Sequence, residues 1–335
     1  MTTATRPPQA RSTGTVPLSL LDRSRTRQGE SPGAALRDTV ERAERADELG
    51  LHRFWVAEHH AVPGIASGSP PLLMAAVAAR TRRIRIGSAG VMLPNHRPLI
   101  VAEQARMLEA LHPGRIDLGI GRSLGFTAPV REALGVLRHT PGDFARDLRQ
   151  LEEFLADEGP VTAMPAGVQA PPILVLATGS GLAVAAERGL PVVVGGPVLR
   201  GDLAPLDEYR DRFRPSRTCP EPHLIVSADV MIAETTERAR ELMLPEAWAM
   251  VTARTTGAFP PLSPHGLDRP TERQLSQVED HVAQSVHGTA SEVAQQLTEL
   301  VRRTGADEVV AFASTYDRQA LADSDAALAE LQVTH

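Results

Sequence analysis

The chain has 335 residues, 42% hydrophobic and 23% charged, long enough for two average domains or one large α/β barrel and too apolar for a disordered polymer. Lysine and arginine number 35 against 41 aspartates and glutamates, and this net charge of -6 argues against tracking nucleic-acid phosphates or anionic lipid. The lone cysteine, Cys219, excludes an internal disulfide and any multi-cysteine metal site, and cysteine usage this low suits a reducing cytoplasm.

Residues 1–15, rich in Thr, Pro and Arg and without an apolar run, read as a mobile tail and not as a signal peptide. No segment approaches the roughly 18 apolar residues of a membrane span. From Val16 onward, β-branched or leucine-rich runs alternate with segments of helical period. Strands are expected at 16–21, 52–57, 83–91, 114–120, 172–178, 190–195, 223–232 and 307–314. Helices are expected at 32–49, 70–81, 98–111, 142–157, 181–188, 202–213, 235–244 and 290–303, with a last one at 318–331. Pro32, Pro70 and Pro98 suit first-turn positions, where the missing amide has no helical partner, and Gly50, Gly189 and Gly305 suit helix ends. Eight such units predict a single α/β domain over 16–335, a closed (β/α)8 TIM barrel; an open doubly wound sheet is the rival. Residues 246–288, with Pro260, Pro261, Pro264 and Pro270, read as a long loop insertion that would serve as a lid.

A parallel barrel carries its chemistry where the strands end. Glu58-His59-His60 ends the second expected strand, Ser88-Ala89-Gly90 the third, Gly121-Arg122-Ser123 the fourth and Thr178-Gly179-Ser180-Gly181 the fifth. Adjacent residues on extended backbone point to opposite sides, so His59 and His60 do not readily grip one ion, and no metal is expected. His59 reads as a polar group facing the site, or else as a structural histidine anchoring Glu58. The small residues of 178–181 let backbone N–H groups approach an oxyanion at a helix start, and Arg122 can add a bidentate fork; an ordinary turn beside a solvated arginine is the alternative. A serine-hydrolase elbow competes, because G-x-S-x-G occurs at 121–125 and 29–33. Pro32 leaves the second copy without its oxyanion-hole amide, and Pro129 is expected to break the helix that the first copy needs.

The runs FWVAEHH at 54–60, RIGSAGVMLPNHRP at 85–98, AEQ at 102–104, LEALHPGRIDLGIGR at 108–122 and AAERGLP at 185–191 resemble the bacterial luciferase-like flavin monooxygenases. The likeness is dense from Leu18 to Arg122, sparser to Pro191, and beyond that rests on the element pattern. It implies a (β/α)8 barrel that binds reduced FMN, usually delivered by a separate flavin reductase, and reacts it with O2 to oxygenate an organic substrate. Carried over, His59 matches the family's active-site histidine, with Glu58 and His60 as its neighbours. Ala89 and Gly90 match the strand end beneath the flavin, often joined by a non-proline cis bond. Arg122 matches the phosphate-binding arginine, and Thr178, Gly179, Ser180 and Gly181 match the phosphate turn.

Two departures stand out. Ser123-Leu124-Gly125-Phe126 replaces the Ala-Pro-Gly of close relatives, and Gly121 replaces the luciferase's reactive cysteine. Light emission is therefore not the expected role. A deazaflavin hydride-transfer enzyme and a flavin-binding protein without turnover are the alternatives on the same fold. Aromatic residues make up 3% of the chain and no basic cluster marks the expected mouth, which suggests a small apolar or weakly polar organic substrate. High Ala and Arg usage suits a GC-rich bacterial source, where such enzymes tailor secondary metabolites. The expected setting is cytoplasmic, without nucleic-acid or membrane partners, and a homodimer is compatible with the chain.

Overall fold

In the computed structural model, which describes residues 14–177 and 179–335, the apolar runs form strands and the amphipathic segments form helices around them. The strands are β1 (Leu18–Asp22), β2 (Arg53–Val56), β3 (Arg85–Ser88), β4 (Val91–Met92), β5 (Ile116–Gly121), β6 (Ile173–Leu176), β7 (Val192–Gly195), β8 (Leu224–Ile232), β9 (Val286–Gly288) and β10 (Glu308–Phe312). The helices are α1 (Pro32–Glu48), α2 (Pro70–Arg80), α3 (Pro98–Leu111), α4 (Ala128–Ala133), α5 (Pro141–Leu155), α6 (Ser180–Arg188), α7 (Ala204–Arg212), α8 (Thr236–Thr256), α9 (Glu272–Ala283), α10 (Ala290–Thr304) and α11 (Arg318–Ala329). Eight strands pair in parallel around a closed ring, in the order β1, β2, β3, β5, β6, β7, β8, β10 and back to β1. Short β4 extends the edge of β5, and β9 extends that of β8. This is the expected (β/α)8 barrel and not the open sheet.

Residues that point inward fill the barrel: Trp55, Leu174, Val193, Ile225 and Val310 pack together with Leu21 and Leu176. A larger apolar layer lies between strands and helices. The N-terminal end of the barrel is closed by charge. Arg53 bridges Glu308 at 2.9 Å and Asp117 at 2.7 Å, Arg85 reaches Asp117 at 2.6 Å, and Ser19 donates to Glu308. Buried carboxylates persist only when matched in this way. The lower end is thus a sealed floor, and the open end lies at the strand C-termini.

Four readings of the sequence need correction. Residues 246–288 are not one long loop, because α8 runs on through Pro245 to Thr256, α9 occupies 272–283 and β9 follows. Pro245 removes one amide, yet burial of Glu246, Ala247, Ala249 and Val251 carries the helix past it. Pro129 opens α4 in its first turn and does not break a helix; the elbow is absent because 122–127 is irregular between β5 and α4. Of the tail expected at 1–15, residues 1–13 lie outside the described residues, whereas Thr15 pairs antiparallel with Thr334. The strand expected at 83–91 is divided into β3 and β4, and between them the Ala89–Gly90 bond is cis.

Candidate active site

Glu58 leaves the end of β2 buried, 3% exposed, and accepts from four groups. His60 Nε2 lies 2.8 Å from Oε1, the Asn95 amide donates at 3.0 Å, the Met92 N–H donates to Oε2 at 3.0 Å, and His96 Nε2 lies 2.9 Å from Oε2. An ionised carboxylate can only accept, so both imidazoles present N–H here. Burial alone would raise this carboxyl. The His60 and His96 hydrogen bonds, the His96 charge and the Asn95 amide outweigh it and hold the group down at about 2.

Glu58 therefore bolts the end of β2 to the turn after β4. Its hydrogen bonds go to these four groups and not to His59. Glu58, His60 and His96 bring potential ligand atoms within 4.8 Å of one another, but the carboxylate's acceptor positions are already used by N–H donors.

His59, the next residue, faces differently. Its backbone N–H donates to Ser67 at 2.9 Å, and its ring stacks on Phe126 at a centroid distance of 5.8 Å. The Nδ1 atom is buried and has no hydrogen-bond partner among the described residues. Burial pushes its pKa down to about 4, and the charges of Arg23 and Arg25 push the same way. Both arginines come from the loop after β1 and share buried Glu246 of α8, at 2.9 and 2.8 Å. At neutral pH His59 is thus an uncharged imidazole with a nitrogen free to bind something else.

A cavity of about 540 Å³ opens at the C-terminal ends of the strands. Its floor is the barrel interior: Leu21, Trp55, Leu176, Val193 and Val310. Ala89 forms one wall, and Arg122, Ser123 and His139 gather on its polar side, with Ala177 at the end of β6. Among the described residues Arg122 has no carboxylate within 4.0 Å. The chain leaves β6 through Thr178, which lies outside the described residues. It then turns at Gly179, whose φ of +56° favours glycine, and enters α6 at exposed Ser180. Gly181 is buried within α6. Gly90 lies against the strand edge, where a Cβ would meet the Gly119 carbonyl oxygen at 2.7 Å.

The structure thus brings Ala89, Arg122 and the β6 end to one cavity and turns Glu58 and His60 to a separate structural cluster. Reasoning from sequence missed His139, held by Asp147 at 2.9 Å, and the Arg23–Glu246–Arg25 group. Isolated in sequence, these gave no pattern to read.

The residues fit a flavin mononucleotide. An apolar floor suits a flat heteroaromatic ring, and a guanidinium without a carboxylate partner among the described residues suits a phosphate. Among the described residues no helix is long and apolar enough to cross a membrane.

Comparison with known proteins agrees with the barrel fold. A sequence profile described as luciferase-like monooxygenase matches residues 16–308. A luciferase-like monooxygenase of Escherichia coli (strain K12) is 34% identical over 321 residues, covering 91% of this chain and 94% of that protein. The crystal structure of apo-MsnO8 superposes with a TM-score of 0.84 at 33% identity, covering 94% of this chain and 98% of that one. The oxygenating constituent of 3,6-diketocamphane monooxygenase from Pseudomonas putida, solved in complex with FMN, shares the fold at a TM-score of 0.70. It is 19% identical, and the match covers 95% of this chain and 98% of that one.

Proposed function

The chain belongs to the luciferase-like monooxygenase family, and from that premise we propose that it is an FMN-dependent monooxygenase that takes reduced FMN from a separate reductase and uses O2 to oxygenate a small organic substrate. One observation carries the cofactor choice: a single cavity joins an apolar floor to Arg122, a cation with no carboxylate partner among the described residues. The FMN bound to the 3,6-diketocamphane enzyme, which has the same fold, supports the choice.

Reduced FMN would supply the electrons and the activation of oxygen. Arg122 would hold the phosphate, with the amides that follow Thr178, and Ala89 and Trp55 would bound the ring. His59 is the residue proposed to act on the reacting groups. Uncharged, it offers one N–H and one lone pair, so it can orient an oxygen atom and hold or release a proton at Nδ1. Glu58 acts at one remove, by tying the chain segment that carries His59 to the turn after β4. Residues 257–271, between α8 and α9, are the segment proposed to cover the mouth and exclude water.

The test uses the full chain with chemically reduced FMN, which bypasses the reductase. The bound cofactor should reoxidise in O2 more slowly than free FMN, as followed by the visible absorbance of the oxidised form. His59→Ala should bind FMN within about twofold of the parent, yet reoxidise fast and release hydrogen peroxide. Failure to bind reduced FMN, together with binding of a reduced deazaflavin, would overturn the cofactor choice. An unchanged reoxidation rate in the variant would overturn the role of His59.

A further inference from the structure

A second cavity, of about 570 Å³, adjoins the first, and Ser227 of β8 lines both. Its apolar wall includes Leu199, Met250, Leu300 and Phe312. Its lining carries Arg23, Arg200 and Arg303 against Asp229, Glu246 and Glu299, but the carboxylates are unevenly placed. Glu246 is one carboxylate serving two guanidiniums, those of Arg23 and Arg25. Glu299 is already matched by Arg302 at 2.7 Å, and Asp229 lies 3.6 Å from His281 Nε2.

Arg200 and Arg303 remain, both lining this cavity, and among the described residues neither has a carboxylate within 4.0 Å. They share one rim, because Arg303 donates through Nη2 to the carbonyl of Leu199, the residue before Arg200. The chamber therefore adjoins the cofactor cavity at Ser227, has an apolar wall and carries two cations on an exposed rim. Two arginine forks set together are suited to a planar oxyanion more than to a neutral polar group.

We propose that this cavity is the substrate chamber and that Arg200 and Arg303 hold an ionised carboxylate at its outer end, so that the substrate is an organic acid with an apolar body. The word substrate rests on the flavin reading of the neighbouring cavity; the acid site itself does not. The acid end departs from the apolar or weakly polar compound that composition suggested. Arg200 and Arg303 stand more than a hundred residues apart in the chain, and only the barrel brings them to one rim.

The test is calorimetric titration of the full chain, without flavin, with octanoate and with its uncharged counterpart 1-octanol. Octanoate should bind about tenfold more tightly, and the preference should shrink as salt is added. The double variant Arg200→Gln/Arg303→Gln should lose the preference with an unchanged circular-dichroism spectrum. Arg200→Lys/Arg303→Lys should keep most of it, because the charge is retained. Equal binding of the two probes, no binding of either, or a preference that survives in the glutamine variant would overturn the proposal. Reoxidation of reduced FMN is read separately, so loss of that activity with the octanoate preference intact would reject the flavin reading and leave the acid site standing.

Discussion

Glu58 and His59 are neighbours with opposite electrostatic fates. Four N–H donors hold Glu58 ionised, while burial beside Arg23 and Arg25 keeps His59 neutral. A base whose pKa is pushed from 6.5 to about 4 gains its proton only well into the acid range. The imidazole signals of His59 followed by NMR should therefore stay mostly in the neutral form down to about pH 5, with a midpoint near 4. Arg23, Arg25, Glu58 and His60 are the charged and titratable groups acting on it, and a midpoint near 6.5 would contradict this account. Glu58→Gln places an NH2 where an N–H now donates and leaves buried donors unmatched. Urea unfolding should show a loss of about 2–4 kcal/mol, and the His59 titration should move further into acid, because the Glu58 charge that favours its protonation is gone.

The triplet itself was legible, since two imidazoles and a carboxylate at a strand end are an uncommon set. The role of Glu58 was not, because Asn95 and His96 lie 37 and 38 residues further along the chain. The departure at Gly121 has a physical reason as well. A Cβ there would meet the Met92 side chain at 2.7 Å, so the strand end is packed by a methionine and leaves no room for a thiol without moving it.

At the scale of elements, the mouth is tied together by one buried carboxylate. Glu246 on α8 holds the loop after β1, and Arg25 from that loop donates to the carbonyls of Gly64 and Pro260 and lies over the Phe259 ring at 4.4 Å. Three chain segments thus meet on one guanidinium. Glu246→Gln leaves two nearly buried cations without their anion, and a cost of about 3–5 kcal/mol is expected in urea unfolding. Limited proteolysis should then cut more readily within 257–271. In the parent chain reduced FMN should protect the same stretch, and equal cleavage with and without the cofactor would argue against a cover at the mouth.

The eight barrel strands were readable because short buried runs alternate with longer periodic segments. What escaped was the course of the chain after β8. Pro245 marked an end that packing overrides, and α9 begins with a Thr271–Gln274 capping box inside a stretch where four prolines dominated the reading. Local signals compete there, and the contacts that decide between them are tertiary.

Taken whole, the molecule separates its duties between two ends. The floor pairs Arg53 with both Glu308 and Asp117, one side chain below the cavity that would take the flavin, because Trp55 lines that cavity and donates to Asp117 at 3.3 Å. Arg53→Ala should cost about 3–5 kcal/mol while leaving affinity for reduced FMN within about twofold; a large loss of binding would show that the ends are coupled. Stability should also fall in acid. Burial opposes ionisation of Asp22, Asp47, Glu58 and Glu246. Arg42 on Asp22, the amides of Arg82, Ile84 and Arg83 on Asp47, the histidines on Glu58 and the arginines on Glu246 nonetheless hold all four below the usual carboxylate range. Their contribution is present above about pH 4.5 and is lost as pH falls through their lowered values.

His52, His59 and His112 are lowered chiefly by burial, so the folded state resists their protonation and stability declines from about pH 6.5 downward. Glu152 and Glu308, raised by burial, work in the opposite sense. The urea midpoint should therefore begin to drop below about pH 6.5 and fall more steeply below 4.5. A midpoint that rises on acidification would contradict this balance.

The ring closes where β10 pairs with β1, and there Thr15 meets Thr334 and the Val16 N–H donates to the Val333 carbonyl at 2.7 Å. The two ends of the barrel thus meet beside the charged floor, on the face away from the mouth. A short peptide joining residue 334 to residue 15 would span a gap already bridged by hydrogen bonds. The chain could then be reopened in the exposed stretch 265–269, a circular permutation that moves the break from the floor to the rim. Such a permutant should fold, and fusion of a reductase at the original ends would leave the mouth unobstructed.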